Sequence, residues 1–246
     1  MQISRLDPRG PDPFEGSRTM AFSCHGCGDC CRGSAIILSP FDVARLAAFA
    51  RLTPKALIKD RCVMLKHPQT NLPSALLETV PQCSFLDEAN RCTVYAARPL
   101  VCRGYPLGVL TDLNEPGWRA ALQRFSVRAN PCPPPRFPGA PLPMVRTLHE
   151  MATGAGMEAY AEAYRVWARL TWDIATESRY PSMSPAEELD FDLEFRRLFY
   201  EEVEAPADEG QALASFVGRV RAFRQRHRLL RAPGSEVSSP PEATTA

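Results

Sequence analysis

The stretch Phe22-Ser23-Cys24-His25-Gly26-Cys27-Gly28-Asp29-Cys30-Cys31-Arg32 packs four cysteines into eight residues. A core built only for burial would spread small apolar residues at helix or strand spacing, not bunch them beside Gly26, Gly28 and Asp29. The bunching points to chelation. Each Cys-x2-Cys step lets a short loop turn two thiolates toward one centre, and the glycines allow backbone angles that other residues resist. Cys24, Cys27 and Cys30 make that step twice. Zinc knuckles and ferredoxin-type iron-sulfur runs share the rhythm, so zinc and iron-sulfur both stay open. Cys31 breaks both patterns. Adjacent residues in extended chain point to opposite sides, so Cys30 and Cys31 are expected to serve different centres, or one of them to bridge two.

The other cysteines, at 62, 83, 92, 102 and 132, bring the total to nine in 246 residues. Eight would complete two four-thiolate sites and leave one over. Cys62, with no cysteine or glycine nearby, is the natural spare and reads as a small buried hydrophobe. With 45% hydrophobic residues, core material is ample. A net charge of +1 gives no global reason to expect nucleic acid or an anionic membrane as partner. The N-terminus has no apolar signal region, and no stretch approaches a membrane span. The expected location is therefore cytoplasmic. In that reducing compartment a cysteine-dense segment is a metal site rather than a disulfide framework.

Outward from the cluster, residues 1–21 read as an irregular lead-in rich in Pro, Gly, Asp and Arg. Ser39-Pro40-Phe41-Asp42 has the form of a helix start, with Ser39 as cap and Pro40 in the first position, and Thr53-Pro54 repeats the signal for a helix over 54–61. Breaks between Cys62 and Val80 allow only short strands or loops. In Cys83-Ser-Phe-Leu-Asp87-Glu-Ala-Asn90-Arg-Cys92-Thr-Val-Tyr95, the turn-prone Asp87–Asn90 predicts a hairpin that brings Cys83 and Cys92 together. Arg98-Pro99-Leu100-Val101-Cys102-Arg103-Gly104-Tyr105-Pro106 is a rigid turn with a cysteine between two arginines. Four thiolates around Zn²⁺ or an oxidised iron-sulfur core leave net negative charge, which Arg98 and Arg103 are placed to offset.

These pieces, in this order, resemble the YkgJ-type cysteine-cluster family, also called CxxCxxCC and named for zinc or iron chelation. The resemblance rests on Phe22-x-Cys24-x2-Cys27-Gly28-x-Cys30-Cys31, Ser39-x2-Asp42-x2-Arg45-Leu46, Cys83-x-Phe85-Leu86-Asp87, Cys92-x2-Tyr95 and Arg98-Pro99-x2-Cys102-Arg103-x-Tyr105-Pro106, and covers roughly residues 20–135. It implies metal chelation and supplies no reaction. Family members carry a further cysteine near the domain end in a Cys-Pro-Gly setting. Here Cys132-Pro133 leads into Pro134 and Pro135, and the resemblance implies Cys132 as a ligand. The metal set is then Cys24, Cys27, Cys30, Cys31, Cys83, Cys92, Cys102 and Cys132.

Residues 131–143 are proline-dense and cannot be helix or central strand. Beyond them the sequence turns helical. One face carries Met157, Tyr160, Ala161, Tyr164, Trp167, Ala168, Thr171 and Ile174. A second helix runs from Pro185 through Leu189, Leu193, Arg196 and Tyr200 to near Glu204, and a third carries Leu213, Phe216, Val217, Val220 and Phe223. Such aromatic stripes read as core packing. The basic run from Arg219 to Arg231 reads as a solvated helix end. The expected organisation is an irregular lead-in over 1–21, a cysteine-cluster domain over 22–135, a helical region over 144–230 and a disordered tail over 231–246. The fold class is α-rich: a metal-knit N-terminal region of loops, one short β-hairpin and short helices, with a helical C-terminal half.

Three functions fit: a zinc- or iron-binding module; an iron-sulfur (4Fe-4S) enzyme or electron carrier acting on a protein or peptide held by the C-terminal helices; and an interaction protein whose metal staples a small fold. Whether there is catalysis stays open. His25 adds little as a ligand because Cys24 and Cys27 already fix its loop. A Cys102 nucleophile activated beside Arg103 explains fewer of the cysteines than coordination does.

Overall fold

The computed structural model describes residues 19–21, 28–105, 107–110, 119–122, 145–147, 150–151, 153, 158–176, 180–203 and 209–227. Cys24, His25, Cys27 and Cys132, the proline-dense stretch 131–143 and the tail 231–246 lie outside them.

Helix α1, Pro40–Ala50, begins where its cap signal places it. The Ser39 hydroxyl accepts the Asp42 N–H at 3.2 Å, and Asp42 Oδ2 accepts the Ser39 N–H at 3.0 Å. This reciprocal box satisfies donors that the first helical turn leaves open. Arg51 closes the helix in the left-handed region at φ 56°. Helix α2, Pro54–Arg61, is capped by Thr53, whose hydroxyl accepts the Ala56 N–H at 3.1 Å. It feeds directly into strand β3, Cys62–Lys66, which pairs antiparallel with β4, Pro73–Leu77. Strand β2, Ile36–Leu38, pairs with the other edge of β4, so the sheet order is β2-β4-β3.

The lead-in ends in a short strand: β1, Thr19–Ala21, pairs antiparallel with β7, Val145–Thr147. Its partner lies far along the chain, so no local pattern announces it. The N-terminal region is also more than one hairpin. It holds the three-stranded sheet, and a separate hairpin pairs β5, Leu107–Leu110, with β6, Arg119–Leu122.

The C-terminal part consists of helices α4, Glu158–Thr176, α5, Pro185–Arg196, and α6, Glu209–Arg226. Helix α5 has its own Ser184–Glu187 capping box and runs on as a π-helical turn over Arg197–Glu201. The face of α5 differs from the expected one. Leu189 and Leu193 stand 58% and 55% exposed, while Phe191, Phe195 and Phe199 are fully buried. Two residues along a helix is about half a turn, so the faces exclude each other. Three phenyl rings bury more apolar area than two leucines. The wider π turn accompanies burial of the adjacent Phe199 and Tyr200 together.

This aromatic layer packs on the N-terminal elements. Trp167 meets Phe199 and Phe216 at ring distances of 5.9 and 5.0 Å, and Phe216 meets Phe41 of α1 at 5.2 Å. Tyr200, fully buried, lies beside Ser74 and Ala75 of β4. Tyr180 donates to the Asn71 carbonyl at 2.7 Å, and Lys66 of β3 pairs with Glu188 at 3.0 Å and with Asp192. The buried cluster thus runs without a break from Ile36 and Leu38 through Leu77 and Phe85 to Phe195 and Phe223. Among the described residues no helix is long and apolar enough to cross a membrane.

Candidate metal centre

The end of the first cysteine run folds as one tight turn over Asp29–Cys31, with the Cys31 N–H donating to the Gly28 carbonyl at 2.9 Å. Gly28 is required there. Its φ is +75°, and an added Cβ would lie 2.6 Å from Arg32 Nη1 and 3.1 Å from Leu86 Cδ2. The turn is clamped to the second cysteine segment, since the Cys83 N–H donates to the Cys31 carbonyl at 2.7 Å. Arg32 also bonds the Asn90 side chain.

Cys83 and Cys92 flank a turn, as their spacing predicts, although a single bridge between Leu86 and Cys92 replaces a full ladder. The Thr93 N–H donates to the Phe85 carbonyl at 2.9 Å, and Asp87 accepts the Arg91 N–H at 2.7 Å. Cys102 rides on helix α3, Leu100–Gly104.

Cys31, Cys83, Cys92 and Cys102 lie in one neighbourhood, each within reach of the others' charge, which raises the thiol pKa values. Burial is the first cause at Cys83, Cys92 and Cys102; at Cys102 it is followed by Cys31, Cys83, Asp42 and Cys92. Cys31 is pushed well up, first by its hydrogen bond with Cys30, then by burial. The Cys30 and Cys31 sulfurs are 3.9 Å apart. None of the described cysteines is in a disulfide. Among the described residues, no three His, Cys, Asp or Glu side chains stand in a group ready to hold a metal ion.

The donor set nevertheless fits a soft metal. Four sulfur ligands suit tetrahedral Zn²⁺ or an iron-sulfur core. Raised thiol pKa values without metal are what mutual repulsion in a buried site imposes, and a bound cation reverses that balance by deprotonating its thiols.

Arg98 draws down the Cys31 and Cys92 thiols, and its guanidinium lies 3.6 Å over the Tyr95 ring. Arg103 donates to the Ala96 carbonyl at 2.8 Å, supporting the Tyr95–Ala97 turn. Two arginines that the sequence reading passed over also act on the thiols: Arg32 on Cys31 and Arg61 on Cys83. Arg32 had a signal in its position directly after Cys31. Arg61 had none, because it reaches the site from α2 through a 3.1 Å bond to the Ser84 carbonyl. Cys62 is buried near Glu78 and Cys83, outside the group of four.

Residues 23–133 fit the CxxCxxCC family model, described as a putative zinc- or iron-chelating domain. That span encloses all nine cysteines. Neither the curated proteins nor the solved structures return a match.

Proposed function

Since residues 23–133 form a cysteine-cluster domain of the CxxCxxCC family, we propose that the protein chelates zinc or iron through two sets of thiolates. Cys31, Cys83, Cys92 and Cys102 form one centre. Cys24, Cys27 and Cys30, with Cys132, supply the other. The observation that carries this reading is the mutual proximity of four thiols drawn from three separate segments. Cys31, Cys83, Cys92 and Cys102 would hold zinc or an iron-sulfur core as four thiolates. Arg32, Arg61 and Arg98 offset the thiolate charge. Bound metal would supply a Lewis-acid or redox-active centre, which the cysteines named here would hold and the arginines would balance in charge. The reading places the protein where thiols stay reduced.

Anaerobic purification followed by metal analysis and an absorption spectrum tests it. Wild-type protein should carry zinc or iron. Cys31→Ser, Cys83→Ser, Cys92→Ser and Cys102→Ser should each lose only part of it, and Cys30→Ser should also lose only part. Colourless protein with zinc assigns zinc; a visible chromophore with iron and sulfide assigns a cluster. Protein free of both metals refutes chelation, and complete loss from every variant refutes two centres.

A further inference from the structure

Asp42 joins helix α1 to the helix that carries Cys102. Its Oδ2 accepts the Ser39 N–H at 3.0 Å and the Ser39 hydroxyl at 2.7 Å. Its Oδ1 turns to another part of the chain and accepts the Leu100 N–H at 3.0 Å. The residue is only 5% exposed, and burial pushes its carboxyl up while these three hydrogen bonds pull it back.

Helix capping alone does not account for this arrangement. The α1 box is complete with one carboxylate oxygen, so the second is available for a different element. Helix α3 is five residues long, and Pro99 before it provides no side-chain cap. So short a helix has little stability of its own and takes its orientation from what ties its ends. Leu100 is its first residue, with an N–H that has no acceptor inside the helix. Asp42 supplies that acceptor. Cys102 lies two residues on, close enough to Asp42 for the carboxylate to act on its thiol.

Resting on the chelation reading above, we propose that Asp42 is a positioning residue for the metal centre, holding the start of α3 so that Cys102 faces Cys31, Cys83 and Cys92. The carboxylate touches no metal. It acts through the Leu100 N–H, in the way outer residues fix the orientation of ligands.

Three variants separate positioning from capping. Ser39→Ala weakens the α1 cap and leaves Oδ1 on Leu100, whereas Asp42→Ala removes both. Asp42→Asn keeps one acceptor oxygen, which serves α1 or α3 but not both. The first readout uses no metal. Reduced, chelator-treated protein is pulsed with N-ethylmaleimide under native conditions, and the labelling rate of Cys102 relative to Cys62 is read by peptide mass spectrometry. Local opening governs such labelling, so Asp42→Ala should speed Cys102 by about tenfold or more, Asp42→Asn by less, and Ser39→Ala should match wild type. The second readout is the thiolate-to-cobalt absorption on titration with Co²⁺. Affinity should fall roughly 10–100-fold in Asp42→Ala and hold in Ser39→Ala.

Equal behaviour of Asp42→Ala and Ser39→Ala in both readouts overturns the proposal. Wild-type protein without a cobalt band refutes the chelation reading, while the labelling comparison still decides the role of Asp42. Should Asp42→Ala fail to fold, Asp42→Asn is compared with Ser39→Ala at a temperature where both are native: faster Cys102 labelling in Asp42→Asn supports the proposal, and equal rates overturn it.

Discussion

Cys62 begins β3 with its side chain buried, and its surroundings keep it protonated. Burial first, then the charges of Glu78 and Cys83, push its pKa from 9.0 to about 12. Because the folded value lies above the unfolded one, the thiol form stabilises the fold fully below pH 9, and that contribution is lost as pH rises toward 12. The free energy of unfolding should therefore fall over this alkaline range. Cys62→Ala should be less stable at neutral pH, because it leaves a small cavity, yet lose less stability on going alkaline. Urea unfolding of both proteins at a series of pH values measures this; equal alkaline slopes would show that Cys62 does not stay protonated in the fold. The residue also shows what the odd cysteine count is worth. A thiol without a patterned neighbour reads as packing, and burial outside the group of four agrees.

At the scale of elements, the readable signals were those whose physics is local. Ser39-Pro40, Thr53-Pro54 and Ser184-Pro185 each place a cap and a preset φ within two residues, and each starts a helix where the sequence says it does. The turn between Cys83 and Cys92 is local in the same sense. The placing of Cys102 near that turn is not, since the bond from Leu100 to Asp42 that joins α3 to α1 is encoded by no periodicity. Arg61 was missed for the same reason, and Thr19–Ala21 is a strand only because Val145–Thr147 lies beside it. The face of α5 was misread because both rows of apolar residues have helical spacing and only packing chooses between them. That choice has a measurable size. Phe195→Ala should cost about 3–5 kcal/mol and Leu193→Ala within about 0.5 kcal/mol, read from chemical denaturation. Comparable losses from the two would mean that α5 is rotated relative to the face described above.

For the whole molecule, the question is how far bound metal holds the fold. Small metal domains unfold when stripped because coordination replaces a core they lack. Here the sulfurs sit at the edge of a large apolar interior. Leu38, Leu46, Leu57 and Ala75 are buried beside the thiol segments, and Phe195, Phe199, Phe216 and Phe223 continue the same cluster away from them. Tyr180 ties that aromatic layer to Asn71 by a hydrogen bond that needs no ion, and Tyr200 is buried against β4. Metal bound only to the native state still stabilises by mass action, so its removal lowers the midpoint without removing the cooperative unit. Chelator-treated, reduced protein should keep its helical circular dichroism and melt in one transition at a lower temperature. Hydrogen exchange should quicken at 28–32, 83–92 and 99–104 while α5 and α6 stay protected, because local opening follows the lost tether. A broad melt with loss of most helical signal would reverse this order of dependence: the metal would then be organising the apolar interior rather than resting on it.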